Sequence, residues 1–263
     1  MPDAPLYIAV GLLVGTLVGL TGVGGGSLTT PILVLLFGQS PTIAVGTDLV
    51  FAATTKAVAT AAFGYGRRID WPVAGRLALG SIPAAAVAIV LFWLRRAPGN
   101  VDPVVSRCLA AMLALTALAL LLRQPLIKLG LRLTSTSLGP AKRSRLVLTV
   151  IAGVLIGLAV TITSVGAGAL GTVALLWLYP LRLTPHRLVA TDIAHALPVT
   201  LIAGLGHAAL GHINLVVLIC LLVGSVPGIL LASRATVRLS PAIMHVLIAA
   251  MLALAAGRMW LAN

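Results

Sequence analysis

Six stretches of apolar residues, at 42–64, 73–94, 104–122, 188–210, 213–232 and 242–261, constrain this chain more than any other feature. Each approaches the roughly 20 residues that a helix needs to cross the hydrocarbon core of a bilayer. Lipid offers backbone amides no partner, so a spanning segment must bond its own N–H and C=O groups, as a helix does. Only 9% of residues are charged, against about 25% in a typical soluble domain. The fold class is therefore an all-α polytopic membrane protein. There is no Glu, and the acids are Asp3, Asp48, Asp70, Asp102 and Asp192. A net charge of +13 would suggest nucleic acid in a soluble protein. Here the basic residues lie in short loops between apolar runs, where they set topology and meet lipid headgroups, so the bilayer is the expected partner and nucleic acid is not. Cys108 and Cys220 lie in or beside apolar segments without metal-ligand spacing, and neither metal nor cofactor is expected. The N-terminal apolar run has no basic region before it and no cleavage pattern after it, so it reads as a retained membrane segment.

Four further apolar runs, at 6–20, 27–37, 146–162 and 168–179, are shorter and flank two glycine-rich breaks. The breaks are "TGVGGGSLTTP" (21–31) and "TSVGAGALGTV" (163–173). They belong to a duplication. "GLLVGTLVGLTGVGGGS" (11–27) matches "GVLIGLAVTITSVGAGA" (153–169) at an offset of 142, while "VGTD" (45–48) matches "VATD" (189–192) and "GSIP" (80–83) matches "GSVP" (224–227) at 144. The chain divides into a first membrane repeat (1–122), a basic linker (123–145) and a second membrane repeat (146–263).

If each broken pair is one kinked crossing, four crossings per half make the repeats parallel. If each pair is a hairpin returning to its own side, three full crossings remain and the repeats are inverted. Positive charge favours the second arrangement. It gathers the six basic linker residues with Arg67, Arg68, Arg76, Arg182, Arg187, Arg234 and Arg238 on one face, opposed by Arg95, Arg96, Arg107 and Arg258. That face is expected to be cytoplasmic, with both termini outside. Trp71, Trp93, Trp177, Tyr179 and Trp260 fall at segment ends, as an interfacial belt requires.

A broken helix in lipid costs several kcal/mol per unbonded group unless protein or a watery cavity receives it. Glycine lets N–H groups approach a ligand, and the short helix after each break points its positive dipole end there, so an anion is the natural partner. Gly24, Gly25 and Gly26, with Gly166 and Gly168, are candidate site-lining residues, and Ser27, Thr29 and Thr30 add hydroxyl donors. Gly11, Gly15 and Gly19, spaced by four, read as helix-packing positions. Discontinuous helices at matching places in two halves point to a transporter's substrate site. Thr47-Asp48 and Thr191-Asp192 lie about two turns into long segments. An intramembrane carboxylate marks a pathway or proton relay; capping the glycine break is the alternative role. Lys56 and His195 break the symmetry, aligning with Thr200 and Phe51. Lys56 offsets charge or attracts an oxyanion, unless it snorkels to the surface. His195 follows Asp192 by three residues, which suggests an Asp–His contact or a packing role. His207 and His212, near a loop, read as solvated.

These motifs together resemble the TauE/SafE sulfite exporter family, the TSUP anion transporters. The residues that carry the resemblance are "GxxxGLTGVGGGSLTTPIL", the "VGTDL" after it, "GSIPAA", and the degenerate second copy. The resemblance implies two related membrane halves that move small sulfur-containing or organic anions, such as sulfite, across the bacterial cytoplasmic membrane. It implies that the first glycine cluster and Thr47-Asp48 line the path opposite Gly166, Gly168, Thr191 and Asp192. The second copy lacks a match to Pro31 and carries Ser164, Ala167 and Ala169 in place of two glycines and the serine, so an asymmetric site is expected. The reading is a secondary carrier, not an enzyme, with protons as a candidate coupling ion. Two other classes stay open: a channel or non-transporting subunit, and an intramembrane hydrolase using Ser27, His195 and Asp192. "GVGGGS" lacks the Gly-Lys-Ser/Thr ending of a phosphate loop.

Overall fold

The computed structural model describes residues 3–21, 26–64, 69–94, 101–122, 124–126, 142–234 and 241–261. Ten helices of ten residues or more lie among them. The first repeat contributes α1 (Ala4–Thr21), α2 (Gly26–Leu35), α3 (Pro41–Gly64), α4 (Trp71–Leu94) and α5 (Asp102–Leu121). The second contributes α6 (Lys142–Thr163), α7 (Ala169–Leu178), α8 (Pro185–Ala209), α9 (Leu215–Arg234) and α10 (Pro241–Leu261). Six helices among the described residues are long and apolar enough to cross a membrane. Helix starts follow local chemistry: Pro41 and Pro185 open equivalent helices, where a missing N–H costs nothing. Asp70 Oδ1 and Asn214 Oδ1 accept the N–H of Val73 and Val217, three residues on in each case, at equivalent positions.

Two segments differ from the sequence expectation. The 6–20 and 146–162 runs belong to helices of 18 and 22 residues, so only α2 and α7, at ten residues each, are short. Apolar character stops at 146, but Lys142, Arg143 and Arg145 are good helix formers and carry α6 onward.

Both short helices fold back on the helix before them. Tyr7, near the start of α1, stacks on Phe37 just after α2, with ring centroids 4.1 Å apart. The equivalent residues of the second repeat, at the offset of 142, are Thr149 and Tyr179, whose hydroxyls lie 2.8 Å apart. Each broken pair is thus a hairpin clasped at its open end. Tyr179 is buried in that clasp and does not join an interfacial belt, whereas Trp71, Trp93 and Trp260 are exposed.

The repeats are interlaced. α1 packs along α9, and α6 along α4. The helices touch backbone to backbone: a Cβ at Gly15 would fall 2.3 Å from the carbonyl oxygen of Ser225, and one at the equivalent Gly157 2.4 Å from that of Ser81. Small residues let helices approach this closely, and dispersion then replaces the hydrophobic drive that lipid removes. At the centre, α3 and α8 are the most buried of the long helices. Gly46 faces His207 and His212, while Gly204 faces Leu49 and Val50. Numbers fall on α8 as they rise on α3, so these equivalent helices run antiparallel. α8 and α4 run together, through Thr191 at Asp70, His195 at Ser81 and Gly206 at Ile89.

Candidate functional site

Each central helix carries a buried carboxylate beneath the first turns of a short helix. Thr30 Oγ1, on α2, donates to Asp48 Oδ2 at 2.6 Å. Thr172, its equivalent on α7, approaches Asp192 Oδ2 at 3.5 Å, while its main bond, 2.5 Å, goes to the Gly168 carbonyl. Gly171 makes the second arrangement sterically feasible, because a Cβ there would sit 2.0 Å from Asp192 Oδ1. A carboxylate lies at the positive end of each short helix. The hydroxyl of Thr30 is therefore spent on Asp48.

Several polar atoms at this centre are buried without a hydrogen-bond partner among the described residues: Asp48 Oδ1, Asp192 Oδ1, Ser164 Oγ and His195 Nδ1. Ser164 and Thr29 lie close enough to Asp48 to bear on its charge, although Ser164 Oγ makes no bond of normal geometry. Ser164 stands in the left-handed region (φ 58°) where the first copy has Gly22, and Gly166 has φ 109°. Such a backbone is strained for serine and free for glycine. The N–H groups of Gly166, Ala167 and Gly168 have no acceptor among the described residues, and residues 163–169 are all buried. Unbonded donors of this kind are the partners an anion needs.

Lys56 is 5% exposed, so it does not snorkel, and its charge acts on both Asp48 and Asp192. It has no carboxylate within ion-pair distance: both ion pairs among the described residues are made by Asp70. Lys56 therefore sits between two acids without being consumed by either.

His195 is buried but does not pair with Asp192. Its Nε2 lies 2.9 Å from Ser81 Oγ on α4, in the "GSIP" motif. The serine bonded to this histidine is Ser81, and Nδ1, which a hydrolytic triad would tie to a carboxylate, has no partner among the described residues. Thr47 and Thr191 serve joints between helices: Thr47 Oγ1 accepts the N–H of Asn214, and Thr191 Oγ1 that of Asp70, both at 2.9 Å. Gly24 and Gly25 lie outside the described residues. Gly26 and Ser27 open α2, and the Ser27 side chain is likewise not described.

His207 is not solvated as expected, whereas His212 is partly exposed. His207 is fully buried against Phe92, its Nε2 3.0 Å from the carbonyl oxygen of Thr161, and the two histidines' Nδ1 atoms approach to 3.4 Å. A groove of about 450 Å³ between α2 and α10 lies to one side, lined by Leu28, Pro31, Met251 and Arg258 among others. Its walls are apolar and offer an anion one cation, so the polar centre is the better candidate.

Sequence reading missed Thr172, Ser81 and Ser164 as members of this centre. Thr172 was within reach, since it matches Thr30 at the same offset of 142 as the breaks.

Long apolar helices, two helix hairpins and ionisable side chains buried between the helices fit a polytopic membrane protein of transporter type. Comparison with known proteins makes this specific. The family described as "Sulfite exporter TauE/SafE" matches residues 7–259. The chain belongs to that family. It is 38% identical over 235 residues to the "Probable membrane transporter protein YjnA" of Bacillus subtilis (strain 168), covering 89% of this chain and 91% of that protein. It is 26% identical over 237 residues to the "Probable membrane transporter protein YdhB" of the same organism, covering 88% and 89%. No solved structure matches.

Proposed function

We propose that the protein is a secondary transporter that exports small sulfur-containing or organic anions, of the sulfite or sulfonate kind, across a bacterial cytoplasmic membrane. The observation that carries this reading is the buried centre itself: two carboxylates, a buried ammonium outside ion-pair distance of either, and several donors at the second break with no partner among the described residues. An intramembrane ionisable group costs at least a few kcal/mol and is retained for a pathway or relay.

The antiparallel contact of α3 with α8 and the two hairpins support inverted halves. Three full crossings then follow each hairpin, with the linker and the arginine-rich face in the cytoplasm. Alternating access is a rocking of one half against the other. The occluded centre is the intermediate of such a cycle.

Charge arithmetic bears on coupling. With both acids ionised, the centre carries two negative charges against one positive, which repels an anion. An anion joins Lys56 and the amides of residues 166–168 only after a proton has neutralised Asp48 or Asp192. Net export needs no proton gradient, because an inside-negative potential already drives an anion out.

The test is sulfite and methanesulfonate flux in proteoliposomes. Lys56→Gln is expected to lower flux at least tenfold, and Asp48→Asn and Asp192→Asn to abolish its pH dependence, each as loss of a buried charged partner costing about 1.5–3 kcal/mol. Unchanged flux and pH dependence in both Asp variants would remove the coupling claim. No flux of either anion in the parent would remove the substrate reading, and single-channel currents would replace the carrier by a channel.

A further inference from the structure

The two helix joints at Thr47 and Thr191 are equivalent in backbone but not in charge. In one, Asn214 donates its N–H to Thr47 and caps α9; in the other, Asp70 donates its N–H to Thr191 and caps α4. Asn214 is neutral. Asp70 also receives Arg182, with Nε on Oδ2 and Nη2 on Oδ1 at 2.8 Å each, and Arg187 Nη2 at 3.5 Å. No Lys or Arg precedes Lys56 in the sequence, so the loop equivalent to 179–187 in the first repeat has no counterpart to these arginines. The fork crosses the repeats, from the start of α4 to the loop before α8 and its first turn.

Asp70 is 3% exposed, whereas the Arg182 and Arg187 side chains are 44% and 43% exposed. The carboxylate is therefore the hidden member and the guanidinium pair the half-open one. Arg182 also lies 6.0 Å from the Tyr179 ring, which steadies it beside the α6–α7 clasp. Next to the pair, Ile69 packs on Ala190 and Ala194 of α8, two residues to either side of Asp192. An oxyanion arriving on this face finds two half-exposed guanidinium groups, and Arg182 already holds a carboxylate in the two-point geometry that oxyanions share.

We propose that Arg182 and Arg187 form an entry subsite for small oxyanions on the linker face, and that an anion bound there displaces Asp70 and releases the joint Asp70 holds closed. The latch exists on one face alone, so the charge that recruits the anion also selects which face opens. This deepens the transporter reading and rests on it for the direction of access, although the displacement can be measured without transport.

The test places a reporter behind the latch: Ala194→Cys, with Cys108→Ala and Cys220→Ala, in full-length protein in nanodiscs. A membrane-impermeant maleimide reports access, and methanesulfonate, inert to maleimides, is the probe anion. The parent is expected to label slowly and to accelerate saturably with methanesulfonate. Asp70→Asn is expected to label about five- to tenfold faster without anion, as loss of a bidentate pair would give, and Asp70→Glu to restore slow labelling. Arg182→Gln with Arg187→Gln is expected to label fast and to ignore the anion, and it carries the test should Asp70→Asn not fold. Equal rates for Asp70→Asn and parent, or the same anion response in both, would overturn the proposal. Fast labelling of Asp70→Asn in a protein that moves no anion would sink the transporter reading and leave the latch standing. Normal flux with unchanged labelling would do the reverse.

Discussion

The two carboxylates occupy equivalent places but are held unequally, and Thr30→Val measures the difference. The Thr30 hydroxyl lies 2.6 Å from Asp48 Oδ2, the length of a charge-assisted O–H···O⁻ bond. Valine keeps the shape and deletes the donor, while Asp48 stays fully buried with Oδ1 already unpartnered. A hydrogen bond to a charged group contributes about 1.5–3 kcal/mol, and an abandoned buried acceptor adds to the loss. We expect about 2 kcal/mol, or a fall in melting temperature of roughly 4–8 °C for a chain of this size. Thr172→Val is the control. Its contact with Asp192 is 3.5 Å, at the edge of bonding, and the Gly168 carbonyl it also serves keeps the N–H of Thr172. Its cost should stay under about 1 kcal/mol.

Both variants are melted in one detergent, with a cycle through Asp48→Asn. The Thr30→Val penalty should shrink by about 1 kcal/mol in the Asn background, because a neutral amide gains less from the hydroxyl. Equal shifts for Thr30→Val and Thr172→Val would refute the claim that the first carboxylate is the tightly held one. An additive cycle would refute the bond.

Two further outcomes follow from the geometry. Gly171→Ala drives a methyl into Asp192 Oδ1, so thermal stability should fall by about 1–3 kcal/mol and anion flux with it; adding Asp192→Ala should restore stability but not flux. For Asp70, burial pushes the carboxyl up, but the hydrogen bonds and charge of Arg182, the Val73 N–H and Arg187 outweigh it and hold it below the usual 3.8. A depressed acid contributes stability above its unfolded value and loses it as pH falls through its folded value. The melting difference between parent and Asp70→Asn, equivalent to about 1 kcal/mol given the exposed arginines, should therefore stay constant from pH 7 to 5 and vanish below pH 3.8.

What the sequence displayed was periodic: lengths of apolar runs, the offsets of 142 and 144, the two breaks. Bilayer thickness and duplication write those directly into residue spacing. What it hid was rotational. Asp192 and His195 share a helical face by spacing, yet the His195 ring reaches Ser81 across the α4–α8 contact, and no spacing within α8 encodes how α4 is turned. His207 looked solvated because a loop follows it, but α8 ends under Phe92 of α4 and the Thr161 carbonyl of α6. Tyr179 had the residue type of an interfacial belt and the position of a clasp, and only its match to Phe37 separated the two.

The pattern of divergence separates architecture from transport. Residues that join the helices or hold the central carboxylates are kept in both copies: Thr47 with Thr191, Gly15 with Gly157, Thr30 with Thr172, and Asp48 with Asp192. The other ionisable residues at or near the centre differ: Lys56 against Thr200, His195 against Phe51, Asp70 against Asn214. Two inverted copies that were identical would make the inward- and outward-open states mirror images of equal energy, with no preferred direction beyond the gradient. A lysine that only one copy supplies and the proposed arginine latch on one face would lift that degeneracy. On the carrier reading proposed above, the rocking comes from that symmetry and the bias from the few positions where the copies disagree.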